Sequence, residues 1–276
     1  MATKVKKVVL LDRLLSEGFF TSKEEAVPYL MGGQVYVGSQ QQTSAAAKVD
    51  PLLPLTVRGL DMPYISKGGL KLEGAIRDFG IQVQDRVCID AGACTGGFTD
   101  CFIKHGAARV YAVEVGFGQL AGSLRQNPRV ANLEKTNISD EKLLHLDPAP
   151  DLASVDLSYL SLRKGIPAFA EVMHHQGELL CLVKPLFETE DMEARRTGVL
   201  PPEKYLPTLL ELVRDVNALP ETQAKQVTYS PVTGNNGTHE FFLHVVLGSD
   251  APAPDLTAAC ERAVANVLAL APYHKK

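Results

Sequence analysis

Val87-Cys88-Ile89-Asp90-Ala91-Gly92-Ala93-Cys94-Thr95-Gly96-Gly97-Phe98 is an apolar, strand-length run that carries an acid and opens into a loop of small residues. About 22 residues further on the pattern returns as Arg109-Val110-Tyr111-Ala112-Val113-Glu114, after a helix-length segment from Thr95 to His105. Two apolar, β-branched runs flanking a helix read as the opening βαβ unit of a doubly wound sheet. Glu114 falls at the end of the second strand, where an acidic side chain accepts hydrogen bonds from ribose hydroxyls. Glycines at 92, 96 and 97 let the backbone approach a ligand closely.

The loop is not a dinucleotide fingerprint, because Ala93, Cys94 and Thr95 separate Gly92 from Gly96 and the G-x-G-x-x-G spacing is absent. An acid followed by a small-residue loop is the form taken by sites for S-adenosylmethionine (SAM), in which the amino-acid end of the ligand meets the first loop. Asp90, Gly92, Gly96, Gly97 and Glu114 are therefore the candidate cofactor residues. The plainer alternative is a tight turn of any α/β sheet, against which the acid at 114 weighs.

Composition bounds the rest. With 276 residues, 45% of them hydrophobic and 22% charged, the chain can bury one large core or a small domain beside a medium one. No apolar run reaches about 18 residues, and the Lys4, Lys6 and Lys7 cluster precedes only a short apolar run, so a soluble cytoplasmic protein without membrane association is expected. The cysteines at 88, 94, 101, 181 and 260 are odd in number and lack C-x-x-C spacing, which favours free thiols over disulfides or a metal site. The net charge of −4 is uneven: residues 1–77 carry ten Lys and Arg against seven Asp and Glu, a net +3, leaving −7 for the remainder. That asymmetry suggests two units with different partners.

The first unit has a helical face at Leu10-Leu11-Asp12-Arg13-Leu14-Leu15, a turn at Gly18, and a second helix that starts at Thr21 or Ser22 and runs to about Met31. Gln34-Val35-Tyr36-Val37-Gly38 alternates as a strand, and Leu55-Thr56-Val57 is another candidate. Residues 10–38 resemble the S4-like RNA-binding domain, with its leading Leu-Asp-x-Leu-Leu helix and closing Gly-x-Val-x-Val-x-Gly. The resemblance implies that Arg13, Lys23 and the cluster Lys4, Lys6 and Lys7 face RNA phosphates, contacts that position a molecule without reading its sequence. Pro28 departs from a continuous second helix and is expected to kink or shorten it.

An S4-like domain is thus expected at 1–60, a linker at 61–64, and an α/β SAM-dependent methyltransferase domain with a seven-stranded sheet at 65–276. A helix through about Phe79 leads into strand candidates at 87–91, 109–114, 130–134, 152–156, 178–184, 223–229 and 239–247. The last two are joined by Ser230 to Gly237, with no room for a helix, so they should pair antiparallel. In such a sheet Asp156 and Lys184 end parallel strands, while Glu240 begins the reversed one, and all three can converge at one edge. A lysine between carboxylates beside a SAM pocket suits methyl transfer to an alcohol, whose proton must be removed or held as the methyl group arrives. Lys184 is the candidate proton handler, and Lys71 the neighbouring cation favouring its neutral form. Taken singly, each carboxylate reads equally well as a helix cap or surface ion pair.

Lys71, Asp156, Lys184 and Glu240 also fall where FtsJ-like ribose 2′-O-methyltransferases carry a Lys-Asp-Lys-Glu tetrad. The segments at 66–72, 90–99, 115–120, 156–162 and 183–188 are similar, in that order, to the TlyA (hemolysin A-like) family. The resemblance implies methylation of a cytidine ribose in 16S or 23S ribosomal RNA, with ribosomal RNA or ribosomal subunits as partners. It implies SAM contacts from Gly92, Ala93, Gly97, Phe98 and Glu114, with Thr136 and Asn137 near the adenine. The chain departs from the family at Leu186, at Cys94, and at Glu188 to Arg196, an acid-heavy stretch expected to border the RNA entrance. Two other readings compete: an RNA-binding protein whose methyltransferase fold is not catalytic, and a membrane-active protein suggested by the hemolysin name.

Overall fold

A computed structural model describes residues 6–20, 22–58, 60, 63–157, 160–234, 237–249 and 251–270. Lys4, Thr21, and Asp61 and Met62 of the expected linker lie outside the described residues.

The amino-terminal elements are β1 (Val8–Val9), α1 (Leu10–Ser16), α2 (Lys23–Met31), β2 (Val35–Val37), β3 (Gln40–Gln42), β4 (Lys48–Val49) and β5 (Leu55–Val57). Ser22 caps α2 by accepting from the Glu25 amide at 3.3 Å. Pro28 neither ends nor shortens α2: its carbonyl still accepts from the Gly32 amide at 2.8 Å, and the helix runs to Met31. β2 is the centre of a three-stranded antiparallel sheet between β3 and β5, while β1 pairs with β4. β1, β3 and β4 were not expected from the sequence. They are two or three residues long, and the all-glutamine β3 has no apolar alternation; its signal is the two-residue connection at Gly38, whose φ of 60° suits a tight hairpin. Leu10, Leu14, Leu30, Val35 and Val57 form the core beneath.

The larger part follows as α3 (Lys67–Phe79), β6 (Val87–Ala91), α4 (Gly97–Lys104), β7 (Arg109–Glu114), α5 (Gly122–Arg125), β8 (Val130–Glu134), β9 (Leu152–Val155), α6 (Leu162–Val172) and β10 (Gly177–Val183). The chain continues through α7 (Pro185–Glu188), α8 (Met192–Thr197), α9 (Tyr205–Asn217), β11 (Thr222–Tyr229), β12 (Phe241–Leu247) and α10 (Thr257–Leu268). The seven long strands form one mixed sheet in the order β11-β12-β10-β9-β6-β7-β8, parallel except for β12. Its inner strands are apolar on both faces because helices cover both, while the edge strands β8 and β11 carry polar, partly exposed residues. Along β10, Leu180 and Leu182 pack with α3 and α4, while Leu179, Cys181 and Val183 pack with the layer of α6, α9 and α10.

Register then places the chemistry. Val155 lies opposite Ala91 and Cys181, and Val183 lies opposite Phe241. Gly92, Asp156, Lys184 and, at the entrance to the reversed β12, Glu240 all lie just past these pairs. They gather at one edge, where the chain order switches on either side of β6. Among the described residues, no helix is long and apolar enough to cross a membrane, and all five cysteines are free.

Candidate functional site

A cavity of about 1000 Å³ opens at this edge. One wall is the loop after β6. Gly92 has φ +86°, and a Cβ there would overlap the Asp156 carbonyl oxygen, so the two strand ends approach as closely as glycine alone permits. The Gly92 and Ala93 amides both donate to Val113 O, at 3.0 and 3.1 Å, which ties the loop to β7. At the end of β7 the Glu114 carboxylate accepts from the Cys94 amide at 3.0 Å and from the Gly116 amide at 2.7 Å. Each oxygen keeps a further acceptor position. Ala93, Gly97, Phe98, Thr136 and Asn137 also line the cavity.

Two expected cofactor residues do not. Asp90 is fully buried beneath the loop, where it accepts from Thr99 Oγ1 at 2.6 Å and Ser154 Oγ at 2.9 Å. Burial pushes its carboxyl up to about 6 against those hydrogen bonds. Gly96, with φ +99°, serves the turn into α4, and a side chain there would collide with Leu124 and Leu120. Both residues shape the loop from behind.

The opposite wall carries the ionisable groups. Lys71 on α3 pairs with Glu240, both almost wholly buried, and Lys184 pairs with the half-buried Asp156 while also donating to Leu157 O at 3.3 Å. Burial alone would lower Lys71, but the charges of Glu240 and Asp156 and the hydrogen bond to Glu240 outweigh it and hold the ammonium above its usual value. The four residues form two adjacent ion pairs, with the Asp156 charge acting on both lysines.

Sequence reasoning missed Lys67. It lies one helical turn before Lys71 on the same face of α3, a spacing that could have flagged it. It is 8% exposed, lines the cavity, and its Nζ donates to Gly234 O at 3.2 Å. Burial first, and the positive Lys71 second, bring it down to about 8 against the opposing pull of Glu240. Ser16 of α1 also reaches the lining, so the amino-terminal unit forms part of the wall. No signal within the sequence announces that contact.

The expected RNA contacts divide. Lys6, Lys7 and Lys23 are exposed. Arg13 is not available: it is 7% exposed, pairs with Glu17, and donates to Asp50 O at 3.0 Å and Leu53 O at 2.8 Å, locking α1 to the β4–β5 connection. In the acid-heavy stretch after β10 the fold takes up two of the four acids, while Glu190 and Glu193 are exposed. Glu188 is buried and accepts from Ser161 Oγ, the Leu162 amide and Arg163, while Asp191 caps α8, so these two acids serve helix ends.

Residues 64–246 match the FtsJ-like methyltransferase family. The chain is 37% identical over 242 residues to the "Putative rRNA methyltransferase YqxC" of Bacillus subtilis, covering 85% of this chain and 84% of that protein. It is 34% identical over 257 residues to the 16S/23S rRNA (cytidine-2′-O)-methyltransferase TlyA of Mycobacterium tuberculosis, covering 92% and 96%. Hemolysin A of Brachyspira hyodysenteriae is 33% identical over 84% of this chain and 97% of its own. Among solved structures, a Streptococcus thermophilus protein bearing the hemolysin name superposes with a TM-score of 0.80 at 32% identity, over 96% of each chain.

Proposed function

The chain belongs to the FtsJ-like methyltransferase family, and on that premise we propose that it is a SAM-dependent ribose 2′-O-methyltransferase of ribosomal RNA, acting on a cytidine of 16S or 23S rRNA. The observation that carries this reading is the convergence of the two ion pairs Lys71–Glu240 and Lys184–Asp156 on one cavity with the Gly92 loop and Glu114. The Mycobacterium tuberculosis relative, named for cytidine-2′-O methylation, supplies the substrate.

The cavity fits SAM. Glu114 has acceptor positions left for two ribose hydroxyls, the side-chain-free Gly92 and Gly97 leave room for the amino-acid end beside Ala93 and Phe98, and Thr136 and Asn137 border the adenine end. When bound, SAM supplies an electrophilic methyl group on a sulfonium that becomes a neutral thioether. The protein's task lies on the other reactant. A ribose hydroxyl is a weak nucleophile, so its oxygen must be held in line and its proton must leave as the new bond to carbon forms. Lys184, fixed by Asp156 and Leu157 O, holds that oxygen. The hydroxyl proton passes to the Lys184–Asp156 pair, which ends as an ammonium and a carboxylic acid. Lys71, kept charged by Glu240, stabilises the negative charge that gathers on the oxygen in between.

The amino-terminal unit is the RNA-positioning module of this reading, with Lys6, Lys7 and Lys23 facing phosphates. The test is methyl transfer from labelled SAM to unmodified ribosomal subunits, with Lys184→Ala alongside. Alkali-stable label at a single ribose, lost in the variant, is the expected result; no label in RNA from a protein that binds both SAM and RNA refutes the reading.

A further inference from the structure

Three lysines line the cavity, and they are not equivalent. Lys71 and Lys184 each face a carboxylate, so their charges are spent within the protein. Lys67 is buried too, though less completely than Lys71, yet among the described residues no carboxylate forms an ion pair with it. Of its three N–H donors, one is taken by the neutral Gly234 carbonyl. Its stem is fixed as well. A Cβ on Gly18, where φ is +75°, would run into the Lys67 chain, so the turn after α1 packs directly on the lysine's methylenes and leaves its head little freedom. Glu240 acts on Lys67 only at longer range and is already paired with Lys71, and an ammonium buried with donors unspent among the described residues is costly unless an anion arrives to complete it.

We propose that Lys67 anchors the RNA phosphodiester on the 3′ side of the nucleotide being methylated. This rests on the ribose methylation reading above and deepens it. The 3′-oxygen is on the ribose carbon adjacent to the one bearing the 2′-hydroxyl, so any cavity that admits the reacting hydroxyl must also receive the neighbouring phosphate. Lys67 sits one turn of α3 from Lys71, and the charges acting on it are Lys71 and Glu240. Its head is tied to the 234–240 segment, away from the Glu114 end where the cofactor's ribose fits. The phosphate's charge restores the ammonium that burial disfavours, so the anchor is strongest when the substrate is seated. Binding through Lys67 fixes the ribose rotation about its backbone and thereby the line of attack of the 2′-oxygen.

The test uses the full-length protein as wild type, Lys67→Met and Lys67→Arg. Filter binding to unmodified 16S and 23S transcripts is measured across a salt series, SAM affinity is measured on the same preparations, and methyl transfer to unmodified subunits gives KM and kcat. The anchor predicts that Lys67→Met weakens RNA binding about tenfold and lowers the slope of log affinity against log salt by about 0.7–0.9, the value of one phosphate contact. SAM affinity stays within about twofold, which also reports an intact cavity, and Lys67→Arg keeps the wild-type slope because the charge remains. An unchanged slope in Lys67→Met overturns the proposal. So does a loss of SAM affinity with RNA binding intact, which would assign the lysine to the cofactor's carboxylate. If the wild type binds SAM but neither binds nor methylates RNA, the methylation reading itself fails and takes the anchor with it; wild-type activity with an indifferent Lys67→Met sinks the anchor alone.

Discussion

Removing either partner of the buried Lys71–Glu240 pair should destabilise the protein, and the two removals should not cost the same. The side chains are 8% and 6% exposed, so neither charge can be handed to water when its partner is cut away. Breaking such a pair typically costs about 3–5 kcal/mol, whereas replacing both members by apolar groups of similar size is often neutral or stabilising. Here the surroundings break the symmetry. Lys71→Met leaves Glu240 with the Lys67 cation still close enough to act on it, which should keep the cost near about 3 kcal/mol. Glu240→Leu leaves Lys67 and Lys71 buried one turn apart with Asp156 the nearest remaining negative charge, which should bring the cost toward about 5 kcal/mol. The double variant should lie within about 1 kcal/mol of wild type while having no methyl transfer, since the cation beside the reacting oxygen is gone. Urea unfolding at pH 7, with the four proteins read as a double-mutant cycle, measures all three terms. Equal costs for the single variants, or a double variant as unstable as the sum of the two, would refute this account of the pair.

Four further outcomes are expected. Gly92→Ala places a methyl group against the Asp156 carbonyl at a φ of +86°, and should lose SAM binding and about 2 kcal/mol or more of stability, seen by calorimetry and by denaturant unfolding. Asp90 has a folded pKa of about 6 against 3.8 for the free group, so the native state is penalised for its charge above pH 6 and the penalty vanishes below pH 3.8. Wild type should therefore gain about 2 kcal/mol relative to Asp90→Asn between pH 7 and pH 4, and a pH-independent difference between the two would contradict the burial argument. Gly18→Ala drives a Cβ into the Lys67 stem, and should lower RNA methylation more than SAM affinity, while Lys23→Ala alters only RNA affinity and its salt dependence.

Much of the sheet was legible because its signals are local. Inner strands covered on both faces read as largely apolar runs, as β6 and β7 do at 87–91 and 109–114, and the edge strand β8 still coincides with the expected 130–134. The reversal of β12 followed from the short 230–237 connection, and once the reversal is granted the approach of Glu240 to Asp156 and Lys184 is a matter of register. The strand starts later than the run at 239–247 suggests: β12 begins at Phe241, with Glu240 lining the cavity and His239 edge-on to the Tyr205 ring. Pro28 shows a different limit. The α2 helix is held by Ala26 and Leu30 in the core and by its serine cap, and these outweigh one missing backbone donor.

The candidate site was legible where the motif and the wall coincide, and illegible where a residue's partners are remote in sequence. Arg13 and Lys67 make the contrast. Both are cations in motif-bearing helices, and sequence reasoning gave RNA contact to the first and nothing to the second. Arg13 pairs with Glu17 at the i,i+4 spacing and spends the rest of its planar fork on two carbonyls 37 and 40 residues away, which no spacing rule within α1 could reveal. Among the described residues Lys67 meets one carbonyl, 167 residues away, forms no ion pair, and sits under a turn of the other unit. Whether a basic residue is free for a ligand is decided by how many of its donors the fold consumes. A guanidinium buried with each of its three nitrogens bonded is part of the scaffold, while an ammonium buried with donors unanswered suits an incoming anion.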